Sequence, residues 1–243
     1  MPIDPHKPHA VNALSAKKPN AKSFPIKICG LNTMQAVEAA VTAGADMLGF
    51  VFFSKSPRHV GYHQAAELVA FARRIAPKVE IVALSVDATE VELKAIFNSI
   101  SPDWMQMHGH ETPAHVAFVR GQYDVAVMKA IGIRDSADIE EAIRYKIVAD
   151  RLLLDAKPHA GALLPGGNGI PFDHQLIAEK RFGLPFMLSG GLNAQNIGEA
   201  IRLVRPDGVD VSSGVESAPG VKDAERIHAF VRAAREALDM NRQ

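Results

Sequence analysis

With 243 residues, 47% of them hydrophobic and 22% charged, the chain can fill one large core, and no apolar run approaches the length of a membrane span. Its 27 basic residues balance 27 acidic ones, which excludes the broad positive field that draws proteins to nucleic acid or anionic lipid. The only cysteine, Cys29, has no partner for an internal disulfide, so the expected compartment is the reducing cytoplasm.

Residues 1–24 are rich in Lys, Pro, His and Asn, have no apolar period, and carry Asp4 as their sole acid against four lysines. They read as a flexible arm without the apolar core of a secretory signal. Without them, 23 basic residues face 26 acidic ones, about −3 for the rest. An anionic ligand would need local capture.

From Pro25 onward short apolar runs alternate with helical patterns. The runs are Pro25–Cys29, Met47–Phe53, Val79–Val86, Trp104–Met107, Val125–Ile131, Arg151–Leu154, Pro185–Leu188 and Val209–Val211. They are mostly continuous in hydrophobicity, as parallel strands buried on both faces must be. Between them, apolar residues recur at helical spacing, as in Leu68, Phe71, Ala72 and Ile75, or Leu93, Ile96, Phe97 and Ile100. Thr89 and Glu92 have capping-box spacing and predict a helix start after the third run. Two later stripes, Ile197 to Val204 and Ile227 to Ala234, complete the pattern. Eight such units average about 27 residues, enough for strand, crossover helix and loops. The count predicts a single α/β domain over residues 25–243, a (β/α)8 TIM barrel. An open doubly wound sheet is the runner-up, but Gly166-Gly167-Asn168-Gly169 does not make its dinucleotide fingerprint.

In such a barrel the chemistry sits where strands end. The first run delivers Cys29, either a reactive thiol or a small apolar filler. The sixth delivers Asp155, whose carboxyl, partly desolvated at the barrel mouth, would be raised in pKa and suited to general acid work. The alternative for Asp155 is an ordinary salt bridge to Lys157 or Lys129. Paired glycines Gly190 and Gly191 after the seventh run, and the turn Ser212-Ser213-Gly214 after the eighth, offer backbone N–H groups to an anion, where these barrels hold phosphate. The expected partner is thus a phosphorylated small molecule. A thiol base and a carboxylic acid flanking a phosphosugar suit proton transfer at adjacent carbons, hence isomerisation. Arg58, after the second run, is either a grip for a carboxylate or a solvated charge. His108 ends the fourth run and His110 lies beyond it; no acidic or histidine set with metal spacing completes the pair, so no metal is expected.

The motifs Lys27-Ile28-Cys29-Gly30, Phe50-Val51-Phe52 with Ser56-Pro57-Arg58, Gln106-Met107-His108-Gly109, Leu152-Leu153-Leu154-Asp155, Gly167-Asn168-Gly169-Ile170-Pro171-Phe172-Asp173, Ser189-Gly190-Gly191-Leu192-Asn193 and Asp210-Val211-Ser212-Ser213-Gly214-Val215-Glu216 resemble, in order, those of the phosphoribosylanthranilate isomerase family. The resemblance implies a cofactor-free Amadori rearrangement in tryptophan biosynthesis. It implies that Asp155 is the general acid and that Cys29, as thiolate, is the base, helped by the helix start that follows it. Arg58 would hold the anthranilate carboxylate, and Gly190, Gly191, Ser213 and Gly214 the phosphate. His108 and Asp210 occupy family positions near the ligand, Ser212 opens the eighth-strand turn, and Gly167 and Gly169 belong to the flexible sixth βα loop over the substrate. His174 after Asp173 departs from the aromatic residue usual there. Two rival readings are another phosphosugar isomerase or epimerase, and a barrel that binds a phosphorylated metabolite without turnover. Monomer and homodimer are both left open.

Overall fold

The structure, a computed structural model, describes residues 24–156, 174–178 and 180–240. Eight strands form a closed, wholly parallel barrel in chain order: β1 (Ile26–Cys29), β2 (Met47–Val51), β3 (Glu80–Ser85), β4 (Trp104–Met107), β5 (Ala126–Ile133), β6 (Arg151–Ala156), β7 (Phe186–Leu188) and β8 (Gly208–Val211). Pairing of β8 back onto β1 removes any sheet edge and with it the open-sheet alternative. The helices described are α1 (Met34–Ala43), α2 (Tyr62–Ile75), α3 (Glu90–Ile100), α4 (Pro113–Tyr123), α5 (Ser136–Ile143), α6 (Ile197–Val204) and α7 (Ala224–Met240).

Both sequence periods explain the packing. Ile26 and Ile28 of β1 join the large core between strands and helices, where Leu68 of α2, Leu93 of α3 and Phe230 of α7 are also buried. The alternate positions, Lys27 and Cys29, are buried as well. The predicted capping box is present: Thr89 N–H donates to Glu92, and the Thr89 hydroxyl accepts from the Glu92 N–H.

Inside the ring the side chains lie in layers. Met47, Val82, Trp104, Met128, Leu153 and Met187 cluster together. Trp104 donates to Glu80, and the Arg151 guanidinium stacks 4.9 Å from the Trp104 ring centre. Cys29, Val51 and Leu84 form a separate layer with Phe53 and Val86. That second layer reaches the strand ends where the predicted chemistry sits.

The boundaries depart from the apolar runs in informative ways. β2 stops at Val51, while β5 and β6 extend to Ile133 and Ala156, past their apolar segments, giving six paired positions from Met128–Arg151 to Ile133–Ala156. β7 and β8 share only Met187–Gly208 and Leu188–Val209. Beyond β8 a short 3-10 turn, Ser213–Val215, leads into an antiparallel hairpin, β9 (Glu216–Ala218) and β10 (Val221–Lys222). Its strands are too short and polar to announce themselves as apolar runs.

Candidate active site

At the C-terminal ends of the strands lies a cleft open to solvent. Cys29, Arg58, His108, Asp155, Gly190, Gly191, Asp210, Ser212, Ser213 and Gly214 all line it, from six different strand ends or following loops. Ten of the twelve sequence candidates therefore meet in one place. The other two, Gly167 and Gly169, lie outside the described residues, as do residues 1–23 of the expected arm.

Cys29 and Asp155 are both buried, the thiol on β1 and the carboxyl on β6, separated around the ring by β8 and β7. They face one cleft without being strand neighbours. Asp155 Oδ2 lies 3.6 Å from His108 Nε2. Lys129, one alternative partner for Asp155, instead donates to Glu111 at 3.0 Å in a buried pair; Lys157, the other, is outside the described residues. Burial pushes the His108 imidazole down to a pKa of about 3, with the Lys129 and Lys27 charges adding to the effect. His108 is therefore neutral at physiological pH, and it can present a hydrogen bond but no charge. His110, by contrast, has an exposed side chain, as expected of a loop residue.

Burial raises the Cys29 thiol above its ordinary value; Lys27, the largest opposing influence, pulls it down without overcoming that effect. This corrects the expectation of a thiolate favoured by the following helix. α1 begins at Met34, beyond an intervening turn, and its N-terminal cap is Thr33. The helix-terminal field fades within a turn, so desolvation wins.

Arg58 is not a solvated loop charge. It is buried, and its Nε and Nη2 donate to the two carboxylate oxygens of Glu216 at 2.7 and 2.8 Å. Lys222 Nζ donates to Glu216 as well, at 2.7 Å. Burial alone would raise the Glu216 carboxyl, but Arg58 and Lys222 outweigh it and hold it below the usual range. Of this cluster Arg58 is the member that lines the cleft, where a guanidinium suits an anionic group on a ligand.

The turns after β7 and β8 have the geometry an anion cradle needs. Gly190 and Gly191 adopt φ values of 88° and 65°, the left-handed region glycine enters without strain. A side chain at Gly214 would overlap the carbonyl of Leu192, so the two turns interlock through that glycine. Asp210 accepts from Lys27 Nζ at 2.7 Å and from the Ser189 hydroxyl at 3.0 Å, and the Ser212 hydroxyl donates to the Cys29 carbonyl.

Several functional-looking residues carry no assigned role in the sequence. Glu216 and Lys222 belong to the hairpin, and Lys27, like Glu216 only a motif member in the sequence, is wholly buried. Gln106 is visible only as a motif member. Among the described residues, Gln106 Oε1 and His108 Nε2 are buried without hydrogen-bond partners. Both residues line the cleft, and such orphaned polar atoms mark where a ligand would be satisfied.

Fold and site together define a (β/α)8 barrel of the enzyme type, with a carboxyl, a thiol and two glycine-bearing turns gathered at the strand C-termini. A family model described as N-(5'phosphoribosyl)anthranilate (PRA) isomerase matches residues 26–233, and the chain belongs to that family. It is 53% identical over 215 residues to the N-(5'-phosphoribosyl)anthranilate isomerase of Afipia carboxidovorans, covering 88% of this chain and 91% of that one. The Parvibaculum lavamentivorans enzyme is 50% identical over 218 residues, with 88% and 100% covered. Among solved structures, phosphoribosyl anthranilate isomerase from Thermotoga maritima superposes with a TM-score of 0.78 at 32% identity, covering 88% and 99%. A phosphoribosyl anthranilate isomerase in complex with reduced 1-(o-carboxyphenylamino)-1-deoxyribulose 5-phosphate gives 0.76 at 31% identity, with the same coverage.

Proposed function

We propose that this chain converts N-(5-phosphoribosyl)anthranilate to 1-(2-carboxyphenylamino)-1-deoxyribulose 5-phosphate, the Amadori step of tryptophan biosynthesis, with Asp155 as general acid and Cys29 as general base. The observation that carries the reading is the meeting of these two groups with the two phosphate-type turns in one cleft of a family barrel.

The chemistry follows from the placement. Asp155 gives its proton to the ribose ring oxygen as the bond from that oxygen to C1′ breaks, leaving a protonated Schiff base. The positive charge beside C2′ acidifies its proton and favours a thiolate nearby. Cys29 takes that proton, and the resulting enolamine tautomerises to the ketone. Protons given and taken balance, so acid and base suffice for the rearrangement and no cofactor is invoked. Gly190, Gly191, Ser213 and Gly214 hold the phosphate through backbone N–H groups, with Ser212 opening the turn. His108 and Asp210 flank the sugar; Gly167 and Gly169, outside the described residues, are assigned to the substrate by the family resemblance alone. Arg58 meets the anthranilate carboxylate while Glu216 keeps its guanidinium oriented.

Residues 25–243 form the catalytic unit in this reading, with 1–24 as an appended arm; the family match over 26–233 supports the division. Among the described residues no helix is long and apolar enough to cross a membrane. A phosphorylated metabolite as substrate and a lone cysteine both favour work in the cytoplasm.

The direct test is turnover of freshly generated phosphoribosylanthranilate, followed by loss of anthranilate fluorescence. Conversion well above spontaneous breakdown supports the assignment; folded protein that leaves the substrate untouched removes it. Arg58→Ala should act chiefly on binding, raising KM about 10- to 100-fold, because a charge-assisted contact worth about 1.5–3 kcal/mol is lost. An unchanged KM would release Arg58 from its role. Circular dichroism must accompany that measurement, since Glu216 loses a partner in the same variant.

A further inference from the structure

We propose that Lys27 is the positioning residue for Cys29: its buried ammonium, held from below by Asp210, sets the charge state of the thiol that the proposed reaction uses. The inference rests on the reading of Cys29 as base and adds a residue to it.

The geometry comes from three neighbouring strands. Lys27 and Cys29 stand two apart on β1 and so share its inner face. Lys27 is wholly buried, and its Nζ lies 2.7 Å from Asp210 Oδ1 on β8, the strand hydrogen-bonded to β1. Asp210 is itself fixed by the Ser189 hydroxyl from the end of β7. On the other side, Gly49 of β2 pairs directly with Cys29. A Cβ built on Gly49 would sit 2.9 Å from the Cys29 sulfur and 3.1 Å from Lys27 Cε. The sulfur and the lysine stem thus share the space that glycine leaves empty. A side chain on β2 there would displace one or both, and Gly49 leaves room for them side by side.

Both side chains press on the space beside Gly49, and each group acts electrostatically on the other. Burial works against a charged Lys27, yet Asp210 and Cys29 together hold its pKa above the ordinary lysine value. Lys27 therefore stays protonated and cannot be the base. Its part is to offset the desolvation that keeps Cys29 in its thiol form.

The other charges around Cys29 are accounted for. Asp210 on β8 raises the thiol, and Lys222 on β10, itself bonded to Glu216, lowers it less than Lys27 does. β2 contributes no titratable side chain over Met47–Val51. Arg58 shares the cleft but is paired with Glu216. Across the cleft stand Asp155 and His108, the latter neutral. Lys27 shares the inner face of β1 with the sulfur and is the largest cationic influence on it.

Because Cys29 is the chain's only cysteine, its titration can be read without ambiguity. The rate of alkylation by iodoacetamide and the ultraviolet absorbance of the thiolate would both be followed against pH for wild type, Lys27→Met, Lys27→Arg and Asp210→Asn. Lys27→Met should move the midpoint up by at least about one pH unit, the effect of removing an opposite charge at this range. Lys27→Arg should restore most of the wild-type midpoint. Asp210→Asn should move it down, because a negative charge facing the sulfur disappears. A merely structural role for Lys27 predicts no such opposition of sign. Unmoved midpoints, or both moving the same way, would overturn the proposal. If Lys27→Met fails to fold with Asp210 left unpaired, the double variant Lys27→Met/Asp210→Asn decides against Asp210→Asn: its midpoint should lie higher, and equal midpoints would overturn the proposal.

The titration needs no substrate, so it stands even if the isomerase assignment fails. With substrate, the alkaline rise of kcat/KM in Lys27→Met should shift by the same amount as the thiol midpoint. A moved thiol with an unmoved turnover profile would show that Lys27 does not act through Cys29 in the reaction, and would sink the inference too.

Discussion

Cys29→Ala should abolish measurable isomerisation, lowering kcat by about 10²- to 10⁴-fold, the usual worth of a positioned general base. Binding should change little, since the thiol donates no charge to the ground state when it is protonated. The fold should tolerate the change: Cys29 sits in a small layer with Val51 and Leu84, and replacing a thiol by a methyl group removes one atom from it. The pH profile carries a further expectation. Burial raises the Cys29 pKa, so the thiolate is a minority form in the free enzyme at neutral pH. As pH rises toward that pKa the reactive fraction grows, and kcat/KM should climb on the alkaline side of neutrality. The check is kcat and KM for both proteins across pH, with circular dichroism on each. Retained turnover in Cys29→Ala would pass the base role to another group.

Asp155→Asn is expected to be as damaging and for a separable reason. The amide keeps the shape of the side chain and cannot release the proton that opens the ribose ring. We expect kcat to fall by about 10²- to 10⁴-fold with KM nearly unchanged, the signature of an interaction made only in the transition state. Asp155 stands at the end of the longest ladder in the barrel, opposite Gly132, and is buried beside the neutral His108. His108 cannot replace the missing acid, because its depressed pKa leaves it unprotonated wherever the enzyme works. A single-turnover experiment would place the block at ring opening, before the C2′ proton is lost. Wild-type kcat in Asp155→Asn would remove Asp155 as the acid.

The strands are legible because a parallel barrel buries both faces, and eight uninterrupted apolar runs fit few architectures besides it. Cys29 and Asp155 are legible for the same reason: polar or reactive groups closing an apolar strand stand out. Their companions stay hidden. Lys27 meets Asp210 across 183 residues of chain and Arg58 meets Glu216 across 158, and no local pattern carries such a pairing. Once the ring closes, β8 stands beside β1 and the hairpin beyond β8 supplies Glu216 to Arg58. The state of the thiol is misread from sequence because proximity to a helix start is visible there and burial is not. Arg58 likewise reads as either a carboxylate grip or a solvated charge, and its buried pairing with Glu216 excludes the second.

The meagre pairing of β7 with β8 bears on more than topology. Two paired positions make this the lightest seam in the ring, and each of the two strands runs directly into one of the turns assigned to the phosphate. A single anion held by both turns would act as a clasp across that seam. Whatever free energy it gains by binding is also free energy of keeping the barrel shut. In that reading the substrate would help to fasten the ring it binds.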